Sequence, residues 1–138
     1  MWFRMDDGPR PPKPDPLGAR GERLAADHLA ARGYRILARG VRDRLGELDL
    51  VAQDGERLVF VEVKTRSSRD KGEPWEAVTR AKQRKVALAA LRFLQRRNLG
   101  DVPCRFDVVG VTWPEEGAGE PVVDHFPDAF PAPPGCGG

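Results

Sequence analysis

Apolar and polar residues recur along the chain in two rhythms, a helical one and an alternating one. Leu24, Ala25, His28 and Leu29 repeat at helical spacing, which predicts a helix over residues 17–32, with Gly33 as its stop. A short strand is expected over 34–39. Residues 46–52 (GELDLVA) alternate polar and apolar, as a half-buried strand does. Residues 58–65 (LVFVEVKT) are apolar and β-branched until Glu62 and Lys64 break the run. Between the two runs lies Gln53-Asp54-Gly55-Glu56. Asp-Gly between strand-like runs predicts a hairpin with Asp54-Gly55 as its two-residue turn and Gln53 paired with Glu56. A longer helix fits 74–98, with Pro74 in its first turn and an apolar stripe of Trp75, Val78, Val86, Ala89, Ala90 and Phe93, and Gly100 ends it. Strands over 105–113 and 122–126 complete the set.

The order α-β-β-β-α-β-β predicts an α/β (α+β) fold, a mixed sheet flanked by helices. The long crossover between the strand ending near Thr65 and the one starting near Arg105 allows those two strands to run parallel. Eleven of the 13 prolines fall in 1–16 or 114–138. Residues 1–16 are therefore expected to be a flexible, proline-rich leader, 17–130 a single folded domain, and 131–138 a frayed tail. The 138 residues suit one domain, and no run approaches the roughly 20 apolar residues of a membrane span. Residues 1–16 hold no apolar segment of signal-peptide length. Cys104 and Cys136 are too few for a disulfide framework and lack zinc-ligand spacing, so a cytoplasmic, reducing setting is expected.

Charge changes the picture through its distribution. The net charge is only +2, but residues 114–138 contain five acids and no Lys or Arg. Residues 64–97 hold 11 bases against three acids. Such an excess suits an anionic partner, nucleic acid first, although a solvated basic helix face carries the same signature. Arg66, Arg69 and Lys71 in the 65–72 segment, with Lys82, Gln83 and Lys85 on the second helix, are the candidates for phosphate contact. Lys82 falls inside that helix's apolar stripe, where a lysine must snorkel or find an anion.

In the expected hairpin Asp49 pairs with Phe60 and Glu47 with Glu62. Glu47, Asp49, Glu62 and Lys64 then project from one face of the sheet, with Asp49 diagonal to Glu62. Carboxylates clustered at the end of an apolar strand repel one another and are costly to desolvate. A divalent cation compensates them, and oxygen donors suit Mg²⁺ or Mn²⁺ rather than zinc. A lysine two residues beyond such a carboxylate can orient a water and offset charge developing on a phosphorane. The plainer alternative is a structural Glu62–Lys64 pair at a frayed strand end. Glu22 lies two turns before Leu29, near the apolar face of the first helix. His28 and His125 suit core or surface roles, Asp107 suits a local partner for Arg105, and Cys104 suits a small buried site. Trp75 suits the core, with a base-stacking platform as the alternative.

The runs Gly46-Glu47-Leu48-Asp49-Leu50-Val51 and Val59-Phe60-Val61-Glu62-Val63-Lys64-Thr65-Arg66 resemble the PD-(D/E)xK nuclease superfamily. More closely, residues 17–130 resemble the YraN family of small bacterial proteins, a group related in turn to archaeal Holliday junction resolvases. Gly18-Ala19-Arg20-Gly21-Glu22, Arg105-Phe106-Asp107-Val108-Val109 and the ending at Phe130 share in the likeness. The resemblance implies a restriction-endonuclease-like sheet and Mg²⁺-dependent phosphodiester hydrolysis. It places Asp49 as the metal-binding aspartate, Glu62 as the second carboxylate, Lys64 as the catalytic lysine and Glu22 as a helix glutamate joining the site. The Val63 carbonyl is then a further metal ligand. Leu48 stands where the superfamily's proline precedes the aspartate. The expected activity is a nuclease acting on DNA, branched DNA included, and one site per chain makes a homodimer the assembly that junction cutting needs. The alternatives are a non-catalytic nucleic-acid-binding protein on the same fold, or a protein-interaction module using the acidic tail and proline-rich leader.

Overall fold

The computed structural model describes residues 16–68, 70–115 and 119–131. The elements run α1 (Pro16–Ala31), β1 (Arg35–Arg42), β2 (Glu47–Asp54), β3 (Arg57–Ser67), a single 3₁₀ turn (Pro74–Ala77), α2 (Arg80–Arg96), β4 (Cys104–Trp113) and β5 (Val122–Phe130). They form one five-stranded sheet in the order β1-β2-β3-β4-β5. β3 and β4 are parallel and every other neighbour is antiparallel. The mixed α+β architecture and the parallel central pair agree with the sequence pattern. The proline-rich leader and the tail, apart from Pro16 and Pro131, lie outside the described residues, as does Cys136. No described helix is long and apolar enough to cross a membrane.

Each face of the sheet has its own apolar layer. Ala25, Ala26 and Leu29 of α1 close over Leu50, Ala52, Val59, Val61, Val109 and Val111. Val86, Ala90, Phe93 and Leu94 of α2 close over Leu58, Phe60, Phe106, Val108 and Phe130. Phe60 lies at the centre of the second layer, with ring centroids 5.9 Å from Phe93 and 5.5 Å from Phe106. β3 therefore sends alternate residues to opposite layers, Val59 and Val61 toward α1 and Leu58 and Phe60 toward α2. Cys104 is buried in the α2 layer, as expected.

The hairpin between β2 and β3 differs from expectation in its turn. The central residues are Gly55 and Glu56, and Asp54 pairs with Arg57. Gly55 takes the first central position at φ +62°, a conformation glycine adopts without a Cβ clash. Moving the turn by one residue moves the pairing by two, so every paired side chain keeps its face. Val51, not Asp49, now opposes Phe60.

The region expected as one helix over 74–98 is divided. Pro74 is buried and begins the 3₁₀ turn, within which the Glu76 carboxylate accepts the Glu73 N–H at 2.8 Å. The chain then extends through Val78, and α2 begins after Thr79, whose hydroxyl accepts the Lys82 N–H at 3.1 Å. That cap supplies an acceptor for one of the donors that a helix start leaves without an intrahelical partner. Trp75 is 44% exposed and so is not a core residue. α2 stops earlier than Gly100: Asn98 turns left-handed at φ 54°, while the Leu99 and Asn98 N–H groups return to the Leu94 and Gln95 carbonyls. β1 extends to Arg42, β3 to Ser67 and β5 to Phe130, so part of the supposed basic loop is strand.

Candidate metal centre at a strand fork

The β2–β3 ladder runs from Asp54↔Arg57 to Leu50↔Val61. Beyond that point the strands part company. β2 stays with β1 as far as Arg42↔Glu47, and β3 stays with β4 as far as Ser67↔Trp113. At the fork the Val63 N–H donates to the Asp49 carboxylate at 2.9 Å. A side chain thus takes a donor that β2 would otherwise have met with backbone, and the open end becomes a recess reachable from both helix layers.

Four acids line it. One carboxylate oxygen each from Glu22, Glu47 and Asp49 lies within 4.8 Å of the others. Glu62, 8% exposed, interacts with Asp49 from the β3 side. Asp49 is the hub, its carboxyl interacting with those of Glu22, Glu47 and Glu62. α1 delivers Glu22 because Gly21 lets the helix approach closely; a Cβ at Gly21 would come within 2.4 Å of Thr65 Cγ2 on β3. The β1–β2 turn that precedes Glu47 is tied to α2. Asp43 accepts the Leu45 and Gly46 N–H groups and also the Arg92 side chain, at 2.6 Å from Nε. Those bonds, the Arg92 side chain above all, hold the Asp43 carboxyl down at about 2.

The electrostatics of the recess are those of acids short of counter-charge. Burial first, then the charge of Glu62, push the Asp49 carboxyl well above the usual range. Burial also raises Glu62, against the pull of Lys82. Burial and the charge of Glu47 raise Glu22. Glu47 alone goes down: burial pulls it up, but its bonds to Arg42 and Asp49 outweigh that. Among the described residues two cations contact these carboxylates, and the charge of Arg39 acts on Glu22 besides. Arg42 holds Glu47, and Lys82 Nζ lies 3.6 Å from Glu62 Oε1.

The expected site residues thus divide. Asp49, Glu62 and Glu22 come together, and Val63 joins them through its N–H. Glu47, to which sequence reasoning gave a face but no role, belongs to the cluster; its parity with Asp49 was the available signal. Lys64 is half-buried one alternation beyond Glu62 on the same face of β3, and among the described residues it makes no salt bridge. Lys82 has found its anion. Gln83 points elsewhere: its amide donates to the Val78 carbonyl at 3.0 Å, and it lines a cleft with Arg80, Arg84 and Phe130. Lys71 and Lys85 are exposed, and Arg66 donates to the Gly72 carbonyl at 2.6 Å. Arg69 lies outside the described residues. Asp43 and Arg92, which steady the turn before Glu47, went unnoticed in the sequence; Asp43 two residues before Leu45 was the trace of a side-chain-capped turn.

A second polar cluster lies on the α1 side of β4. Asp107 is fully buried, and its carboxylate accepts Arg105 Nε at 2.8 Å and the Asp128 N–H at 2.9 Å, with His125 Nε2 at 2.6 Å. Arg105 also donates to the Tyr34 hydroxyl at 2.7 Å. Here burial is outweighed by the bonds to His125 and Arg105, which hold Asp107 below the usual range. The cluster sits where the β4–β5 register shifts, between Phe106 and Val108. Asp107 is thus more than a local partner for Arg105, and His125 is a buried member of the same network.

Fold and recess together define a mixed-sheet α+β protein with a four-carboxylate pocket at a strand fork, bordered by lysines from β3 and α2. The chain belongs to the uncharacterised protein family UPF0102, whose family model matches residues 21–111. A UPF0102 protein of Chlorobaculum tepidum is 53% identical over 98 residues, covering 71% of this chain and 76% of its own. One from Symbiobacterium thermophilum is 59% identical over 95 residues, covering 69% and 80%. One from Geobacter metallireducens is 46% identical over 114 residues, covering 83% and 91%. The matched region includes Glu22, Glu47, Asp49, Glu62, Lys64 and Lys82.

Proposed function

We propose that the protein is a Mg²⁺- or Mn²⁺-dependent nuclease that hydrolyses phosphodiester bonds in DNA, branched DNA included. The observation that carries this reading is the convergence of Glu22, Glu47, Asp49 and Glu62 on one recess with too few cations to balance them. An all-oxygen, carboxylate-rich donor set fits a hard divalent cation. Glu22, Glu47 and Asp49 would hold it, with Glu62 and the backbone of Val63 bordering it. Such an ion supplies Lewis-acid neutralisation of the phosphate.

The chain's own residues do the rest. Lys64 follows Glu62 on the same strand face and presents an ammonium that can orient the attacking water and offset charge on the phosphorane. The Val63 N–H steadies the Asp49 carboxylate, and the Gly21 contact keeps Glu22 in reach. Arg66, Lys71 and Lys85 contribute positive charge for sequence-independent grip on the backbone, so binding weakens steeply with salt. Cutting both strands of a junction calls for two such recesses, hence a pair of chains.

The test is cleavage of linear duplex, single-stranded and four-way-junction DNA with Mn²⁺ or Mg²⁺, alongside Mn²⁺ binding. Lys64→Ala is expected to stop cutting yet keep the ion, and Asp49→Ala to lose both. Nucleic-acid binding that ignores divalent ions, with no cleavage of any substrate, would identify a non-catalytic binding protein instead.

A further inference from the structure

The two lysines at the recess are placed differently. Lys64 sits within the sheet, and among the described residues it has no acidic partner. Lys82 comes from the first turn of α2, which the Thr79 cap fixes at its start. Its ammonium reaches Glu62, 3.6 Å away, and its charge also acts on Glu47. Its side chain is nevertheless 46% exposed, whereas that of Glu62 is 10% exposed. Lys82 is thus a half-exposed cation leaning onto a buried acid, with solvent open to one side of it. A lysine stem carries several rotatable bonds and a compact point charge, so swinging outward costs it little.

We propose that Lys82 is an exchangeable counter-ion of this pocket. Without a divalent ion it leans on Glu62 and supplies part of the missing positive charge. With a divalent ion and a phosphodiester in place, it turns outward to the phosphate. The inference rests on the metal-dependent reading above and adds a device for coupling metal loading to substrate grip. An ammonium and a divalent cation cannot both crowd one small set of carboxylate oxygens without repelling each other.

The consequence has an unusual sign: removing a positively charged site residue tightens metal binding. Lys82→Met is expected to bind Mn²⁺ about tenfold more tightly than the wild type by isothermal titration calorimetry. Arg84→Met removes the same charge from the opposite side of α2, where Arg84 lines the cleft with Phe130, and is expected to leave Mn²⁺ affinity unchanged. The second arm measures duplex DNA binding against salt, with Ca²⁺ in place of Mn²⁺ to keep the DNA intact. There Lys82→Met should lower the salt slope by about one, and without any divalent ion it should leave the slope alone.

Unchanged or weaker Mn²⁺ binding by Lys82→Met, or no binding by either form, overturns the proposal. A salt slope that Lys82→Met leaves alone in Ca²⁺ overturns its phosphate half. Tighter Mn²⁺ binding by Lys82→Met in a protein that cuts nothing would uphold the counter-ion role while the nuclease reading failed. Circular dichroism of Lys82→Met is expected to match wild type, because the helix start is capped through the Lys82 backbone rather than its side chain.

Discussion

Asp49 and Asp107 are both acids on inner strands, Asp49 half-buried and Asp107 fully buried, and their surroundings differ in sign. Asp107 meets a guanidinium, an imidazole and a backbone N–H, and its carboxyl is held below the usual range. Asp49 meets three other carboxyl groups and one backbone N–H, and its carboxyl is pushed well above it. A buried acid with matched donors is a fastener: its charge is answered inside the fold. A half-buried acid facing other acids is a cost that the fold bears, and such costs persist where an external cation is to answer them. Desolvation pushes both carboxyls upward; the identity of the neighbours decides where each ends.

Charge-removing substitutions test the contrast most directly. Asp49→Asn is expected to reduce DNA cleavage on the order of 10³-fold. In the metal-free protein the same change should raise stability by about 1 kcal/mol, because an amide oxygen can still accept the Val63 N–H while the repulsion goes. Activity assays and thermal melts of one variant check both signs, and a loss of stability would erase the contrast. Asp107→Asn should do the opposite, costing about 3 kcal/mol because Arg105 and His125 lose their anion inside the fold. A denaturant melt within about 0.5 kcal/mol of wild type would show that the network is not a fastener.

Metal addition sharpens the comparison further. Mn²⁺ at about 100 times its dissociation constant should stabilise the wild type by about 2.7 kcal/mol. It should leave Asp49→Asn unmoved and raise Asp107→Asn by the same increment as wild type. A smaller effect than that of the metal is in acid. Asp43, held down at about 2, and Asp107, also lowered, are depressed relative to the unfolded chain. Their stabilisation is therefore complete above the ordinary carboxylate range and is lost as pH falls through the depressed values. For Asp43 that amounts to about 2 kcal/mol between pH 5 and pH 1. Asp43→Asn should flatten this part of the pH–stability curve, and an unchanged curve would remove Asp43 from it.

Much of the architecture could be read from periodicity. The strand-helix order, the parallel β3–β4 pair and the facing of the paired β2–β3 residues follow from spacing and alternation; the common face expected for Glu47, Asp49, Glu62 and Lys64 does not, because alternation breaks in β2 between Leu48, which joins Val51 in the α2 layer, and Leu50, which joins the α1 layer. The hairpin shows why the reading of the paired residues was robust: its turn lies one residue along from the Asp54-Gly55 expected, yet the displacement moved pairing by two and preserved their faces. The break before α2 was harder to see. Pro74 and Thr79 are both good helix-start residues, and only packing, which buries Pro74 and leaves Trp75 outside, decides which one begins α2.

What the residues alone determined is local: which segments twist into helices or extend, and which side chains share a face where a strand runs unbroken, because 3.6-residue and two-residue periods are properties of the backbone. What tertiary structure decided is the company each acid keeps. Glu22 reaches Asp49 only because α1 presses onto β3 at Gly21, Lys82 reaches Glu62 only because α2 starts at Thr79, and Asp107 finds His125 across a bulged strand pair. Those neighbours are far apart in the chain, and electrostatic free energy depends on distance through space, which no local pattern encodes.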